Sequence, residues 1–150
     1  MSEKTLDGPR QEPKSGKPAS SLVVLLHGWG ADGNDLIGLA PLLGQVLPDT
    51  AFVSPHAPEP CEMSPMGRQW FSLMDRTPQQ MEAGAAAAAP LVDAFIDKEI
   101  EHYGLMPDKV ALVGFSQGTM MSLYVAPRRA EPLACVVGYS GAMVGPEALA

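Results

Sequence analysis

Residues 109–121 read KVALVGFSQGTMM. An apolar run of strand length, residues 110–115, enters the pentapeptide Gly114-Phe115-Ser116-Gln117-Gly118. Residues 117–126 then continue with a helix-compatible pattern closed by Pro127. Strand, Gly-x-Ser-x-Gly and helix, in that order, are the context in which a sharp turn projects a serine hydroxyl from the end of a strand. Gly114 and Gly118 leave room free of side chains on either side of Ser116. The N–H of Gln117 opens the helix, where the helix dipole favours negative charge. The pattern points to Ser116 as a nucleophile and to the Gln117 N–H as a donor to an oxyanion. Ser140, in VVGYSGAM, lacks the flanking glycine pattern and reads as a packing or turn residue.

The same alternation repeats outward from this turn. Residues 22–26 (LVVLL) form a continuous apolar run, as expected of a strand covered on both faces. The glycine-rich turn HGWGADGND follows, and Asp32 or Asn34 is placed to cap the next helix. Pro41 splits that helix into a short turn and a second piece, which Pro48-Asp49 ends. Residues 50–54 (TAFVS) are a second strand, and residues 56–76, broken by prolines, a long loop. Residues 78–103 carry apolar positions at helical spacing around an alanine run, with Gly104 as the stop and a kink or break expected at Pro90. Residues 133–139 are a fourth strand, and residues 146–150 begin another helix. Strands alternating with helices predict an α/β fold, a mainly parallel sheet with helices on both faces. Its functional loops lie at the carboxyl ends of the strands, where His27, Pro55, Ser116 and Ser140 fall.

A chain of 150 residues with 46% hydrophobic and 18% charged residues is expected to fold as one domain. Residues 1–20, rich in proline and polar side chains, read as a tail or a loosely attached edge segment, and residues 21–150 as the domain proper. A net charge of −7, with Arg128-Arg129 as the longest basic run, excludes the basic face that nucleic acid or anionic membranes attract. No apolar run has the length of a membrane span or of a signal peptide core, so the expected address is the cytoplasm. Cys61 and Cys135 form no CxxC or Cys/His cluster, which leaves no metal site to expect. They read as buried or incidental thiols.

The second chemical element is His27-Gly28-Trp29-Gly30. A turn of this kind after a central strand can aim a backbone N–H at the nucleophile, and Trp29 supplies it. His27 reads as a hydrogen-bonding organiser of the turn in preference to a catalytic base. His56 and His102 read as loop and helix-end residues.

LLHGWGADGNDL, RQWFSL at residues 68–73, VALVGFSQGTMMSLYVA and VVGYSGAM together resemble the phospholipase/carboxylesterase family of small α/β-hydrolases, which includes acyl-protein thioesterases and lysophospholipases. The resemblance runs from about residue 22 to residue 150. It implies a serine hydrolase cleaving esters or thioesters without metal or organic cofactor, with Ser116 as nucleophile and the N–H groups of Trp29 and Gln117 as oxyanion hole. It also implies that Trp70 and Phe71 border an acyl-binding groove, plain core packing being the equally open reading. One departure is large. The fold orders its triad Ser, then Asp or Glu, then His. After Ser116 this chain has no histidine and no aspartate, only Glu131 and Glu147. The expectation is therefore the amino-terminal part of a hydrolase, ending after the fourth predicted strand and with little turnover by itself. The alternative is a non-catalytic binding protein that retains the pocket but lacks the triad acid and base.

Overall fold

The computed structural model describes residues 4–150. β1 (Arg10–Gln11), β2 (Ser21–Leu26), β3 (Thr50–Val53), β6 (Val110–Phe115) and β7 (Cys135–Tyr139) form one sheet in the order β1-β3-β2-β6-β7. β2 runs parallel to both β3 and β6, β6 parallel to β7, and only β1 is antiparallel. β2 is central because every residue after Ser21 is apolar and both its faces are covered. One face of the sheet, with Leu22, Val24, Leu26 and Leu112, packs in the larger cluster with α3 (Pro78–Tyr103) and α4 (Gln117–Val125). The other face, with Val23, Leu25 and Phe52, packs on Ala40 and the helical segment around it. Phe115, Val137 and Tyr139 remain exposed at the β6–β7 end of the sheet.

The helical segment after β2 follows its caps and prolines. α1 (Gly33–Leu36) is capped by Asp32, whose carboxylate accepts from the Asn34 N–H. A 3-10 turn, Ile37–Leu39, leads into α2 (Ala40–Val46), which carries Pro41 in its first turn, where a missing N–H costs nothing. α3 starts at Thr77, which caps the Gln80 N–H, and ends at Gly104 with φ 63°. The expected break at Pro90 does not occur, and the helix is continuous over 26 residues. Pro90 and Ala86, whose carbonyl Pro90 cannot satisfy, are both exposed, so water can take that carbonyl. The buried face of Ala85, Ala88, Val92, Phe95 and Ile96 holds the two halves in register. The last element, Pro146–Leu149, is a 3-10 turn.

Two segments are more ordered than their composition suggests. The amino-terminal stretch buries Leu6 to 5% exposure and pairs Arg10 with Val53 and Gln11 with Phe52. Arg10 then reaches α3 with two 2.9 Å bonds to the Glu99 carboxylate and one of 3.1 Å to the Tyr103 hydroxyl. In the long loop, β4 (Glu59–Pro60) pairs antiparallel with β5 (Arg68–Gln69). Cys61 is buried, Cys135 exposed, and both are unpaired. No helix among the described residues is long and apolar enough to cross a membrane.

Candidate active site

Ser116 links β6 to α4 with φ 53° and ψ −113°, a conformation that side chains disfavour. The surroundings hold it there. The Ser116 N–H donates to the Tyr139 carbonyl at 2.9 Å, tying the turn to the end of β7. The Thr119 hydroxyl donates to the same carbonyl at 2.8 Å and accepts from the Tyr139 N–H at 3.0 Å. A Cβ on Gly114 would lie 2.5 Å from the Thr119 nitrogen, and one on Gly118 would run into the Leu26 carbonyl. Both glycines are therefore required by close approach, Gly118 because α4 starts directly over the end of β2. Ser140, one step beyond the paired residues Phe115 and Tyr139, also has φ 53° and marks a tight turn at the end of β7.

The turn after β2 abuts this elbow. A Cβ on Gly28 would lie 3.5 Å from Ser116 Cβ and 3.2 Å from the Phe115 ring. His27 is fully buried, and its hydrogen bonds set its tautomer. The Ala57 N–H donates to Nε2 at 3.0 Å, so the ring proton sits on Nδ1, which donates to the Gly28 carbonyl at 2.8 Å. The Ala31 N–H donates to that same carbonyl at 3.2 Å. In a trans peptide the carbonyl and the following N–H point in opposite directions, so these two bonds turn the Trp29 N–H away from the imidazole. Burial lowers the His27 pKa, and the bond to the Gly28 carbonyl opposes this only in part. Among the described residues, no protein acceptor takes the backbone N–H of Trp29 or of Gln117.

Phospholipase/carboxylesterase is the description of the family model that matches residues 12–150. The chain belongs to this family. Esterase PE8 is 45% identical, with a TM-score of 0.92 over 97% of this chain and 68% of its own. The phospholipase/carboxylesterase from Dyadobacter fermentans is 26% identical, with a TM-score of 0.71 over 96% of this chain and 64% of its own. A carboxylesterase from Mesorhizobium loti, at 22% identity and a TM-score of 0.70, shares the fold over 87% of this chain and 59% of its own. The chain thus spans about two thirds of the length of these proteins, and its architecture is the α/β-hydrolase fold of the phospholipase/carboxylesterase family over that part.

Within this family fold, the turn that carries Trp29 meets the elbow that carries Ser116 and Gln117 through Gly28, at the carboxyl edge of the sheet. Trp70 and Phe71 do not offer a ligand an open face. They are 1% and 4% exposed, Trp70 against the His27 ring at 5.3 Å between centroids and Phe71 against α3 at Gly84. That burial agrees with core packing, the reading of these two rings that the sequence left equally open. No imidazole among the described residues bonds to the Ser116 hydroxyl. His27 is engaged as above, His56 Nδ1 accepts from the Gly33 N–H at 3.0 Å, and His102 packs edge-on against Tyr103 at the end of α3. Sequence reading missed the Gln117 side chain, which is fully buried and bonded to the main chain of Trp70 and Phe71. The sequence carried no signal for it, since only the structure shows that this glutamine is buried, where its amide needs partners on both its ends.

Proposed function

We propose that the protein carrying this chain is a serine hydrolase that cleaves carboxylic esters or thioesters through an acyl-enzyme intermediate. The observation that carries the proposal is the strained Ser116, held against the His27-Gly28-Trp29-Gly30 turn with the Trp29 and Gln117 N–H groups unclaimed. Ser116 Oγ attacks the acyl carbonyl carbon, and the carbonyl electron pair moves to an oxygen that these two N–H groups stabilise as it gains charge. Collapse expels the alcohol or thiol and leaves the acyl group on Ser116, and water then releases the acid. No metal or organic cofactor enters these steps.

The hydroxyl proton needs a base, and removing a triad member lowers the rate by several orders of magnitude. Residues 21–150 are read as the amino-terminal part of a single hydrolase domain, with the acid and base supplied by chain that follows residue 150. This chain alone then turns over little or no ester. The unpaired Cys61 and Cys135 suit a reducing compartment, the cytoplasm. A fluorophosphonate probe is expected to label the full-length protein at Ser116. Labelling that persists in Ser116→Ala would remove the proposal.

The absence of any imidazole on Ser116 among the described residues favours one other reading, a binding protein that keeps the pocket without the chemistry. A 150-residue chain that is monodisperse, melts cooperatively and binds an ester without hydrolysing it would select that reading.

A further inference from the structure

The segment at residues 68–71 is held from both flanks of the proposed site. On the side of the turn after β2, the Gly30 N–H donates to the Arg68 carbonyl at 2.9 Å and the Arg68 N–H to the Ala31 carbonyl at 2.7 Å. The Trp29 indole N–H donates to Gln69 Oε1 at 2.9 Å, and the Trp70 indole N–H to the His27 carbonyl at 2.8 Å. On the side of the elbow, Gln117 Oε1 accepts from the Trp70 backbone N–H at 2.9 Å and Gln117 Nε2 donates to the Phe71 carbonyl at 2.8 Å. Gln69, Trp70 and Gln117 are all buried.

A plain core aromatic contributes area. Here both N–H groups of Trp70 are engaged, the indole by the first loop and the main chain by the second. Those loops are the ones that carry the Trp29 and Gln117 N–H groups. Two donors on separate loops act on one oxygen only if the distance between the loops is fixed before the charge develops. We propose that residues 68–71 are a positioning brace that sets this distance, with Trp70 and the Gln117 side chain as its two anchors. The inference rests on the serine-hydrolase reading and deepens it. It replaces acyl contact with alignment as the task of the RQWF stretch.

Trp70→Phe in the full-length enzyme removes the bond to the His27 carbonyl and retains an aromatic ring. Steady-state kinetics on esters of short and long acyl chains, with the affinity for a trifluoromethyl ketone, separate the two tasks. The brace predicts that kcat falls about tenfold or more, as for a misaligned oxyanion donor, with KM unchanged at every acyl length. Affinity for the ketone falls by the same factor. A KM effect that grows with acyl length at constant kcat would make Trp70 a groove wall, and unchanged kcat and KM would make it core packing; either overturns the brace. If Trp70→Phe does not fold, Trp29→Phe breaks only the bond to Gln69 from a half-buried side chain and is read in the same way. Fluorophosphonate labelling of wild type is scored separately. A wild type that labels at Ser116, beside a Trp70→Phe enzyme that turns over like it, therefore sinks the brace alone.

Discussion

Replacing Ser116 by glycine and by alanine measures how firmly the elbow is built. Ser116 sits at φ 53° and ψ −113°, and a non-glycine residue in such a region costs about 1–3 kcal/mol. Alanine keeps the Cβ and therefore the strain, and removes only a hydroxyl that has no protein partner among the described residues. Glycine relieves the strain, while the larger freedom of the unfolded chain offsets about 0.4–1 kcal/mol of that gain. The difference leaves Ser116→Gly more stable than Ser116→Ala by about 1.3 kcal/mol at the middle of the two ranges, within a span of about 0–2.6 kcal/mol. For a chain of this length the midpoint is roughly 3–5 °C in Tm. Urea unfolding at constant m-value and thermal melting both read it, and both variants are expected to lose fluorophosphonate labelling. A glycine variant less stable than the alanine variant would show that the turn stores less strain than the unfolded-state offset and would remove the physical argument from backbone geometry to nucleophile.

Two further outcomes follow from buried polar groups. Glu99 is 1% exposed and its carboxylate is held by Arg10, whose side chain is 30% exposed, so Arg10→Ala strands a buried charge and should cost about 2–3 kcal/mol in urea unfolding. A loss under 0.5 kcal/mol would mean that the pair is screened like a surface one. His27 resists protonation in the folded state because it is buried and its Nε2 already accepts the Ala57 N–H, whereas an unfolded imidazole titrates near pH 6.5. Below about pH 6.5 the unfolded chain binds more protons, so this contribution is full above that pH and declines as pH falls through it. Urea midpoints between pH 5 and 8 should show the decline in wild type and a shallower one in His27→Gln; identical slopes would contradict it.

The order of strands and helices was legible because each signal was local: the apolar run before His27, the alanine-rich run between Thr77 and Gly104, the glycines on either side of Ser116. Pro41 was read correctly because its effect is confined to one turn. Pro90 was read as a kink or break because the rule for proline ignores which side of the helix faces water, and the structure places it where the freed carbonyl is exposed. The amino-terminal stretch was read as a tail or a loosely attached edge segment, and how firmly it is attached was not legible, for a different reason. Its hold on the fold comes from partners far away in the chain, the β3 residues Phe52 and Val53 and the buried Glu99 carboxylate 89 residues from Arg10, and no window on the sequence contains them together. Trp70 and Phe71 show the same limit at the site. Their composition says aromatic and buried, while their partners, the His27 carbonyl and the Gln117 amide, are set by tertiary packing.

The pairing of β2 with β6 sets a schedule as well as a shape. Leu22 meets Val110 and Leu26 meets Gly114, so the central strand finds its second neighbour only after the whole of α3 has been made. At roughly 5–20 residues per second, the nascent chain carries a strand that is apolar from Leu22 to Leu26 with one side open for on the order of ten seconds. Closing that long loop is entropically unfavourable until the strands meet. Gly118 lies against the Leu26 carbonyl, so the elbow and the turn after β2 stand side by side only once these two strands are in register. Substitutions that slow the β2–β6 encounter should therefore lower the yield of soluble protein during synthesis more than they lower the stability of the finished fold.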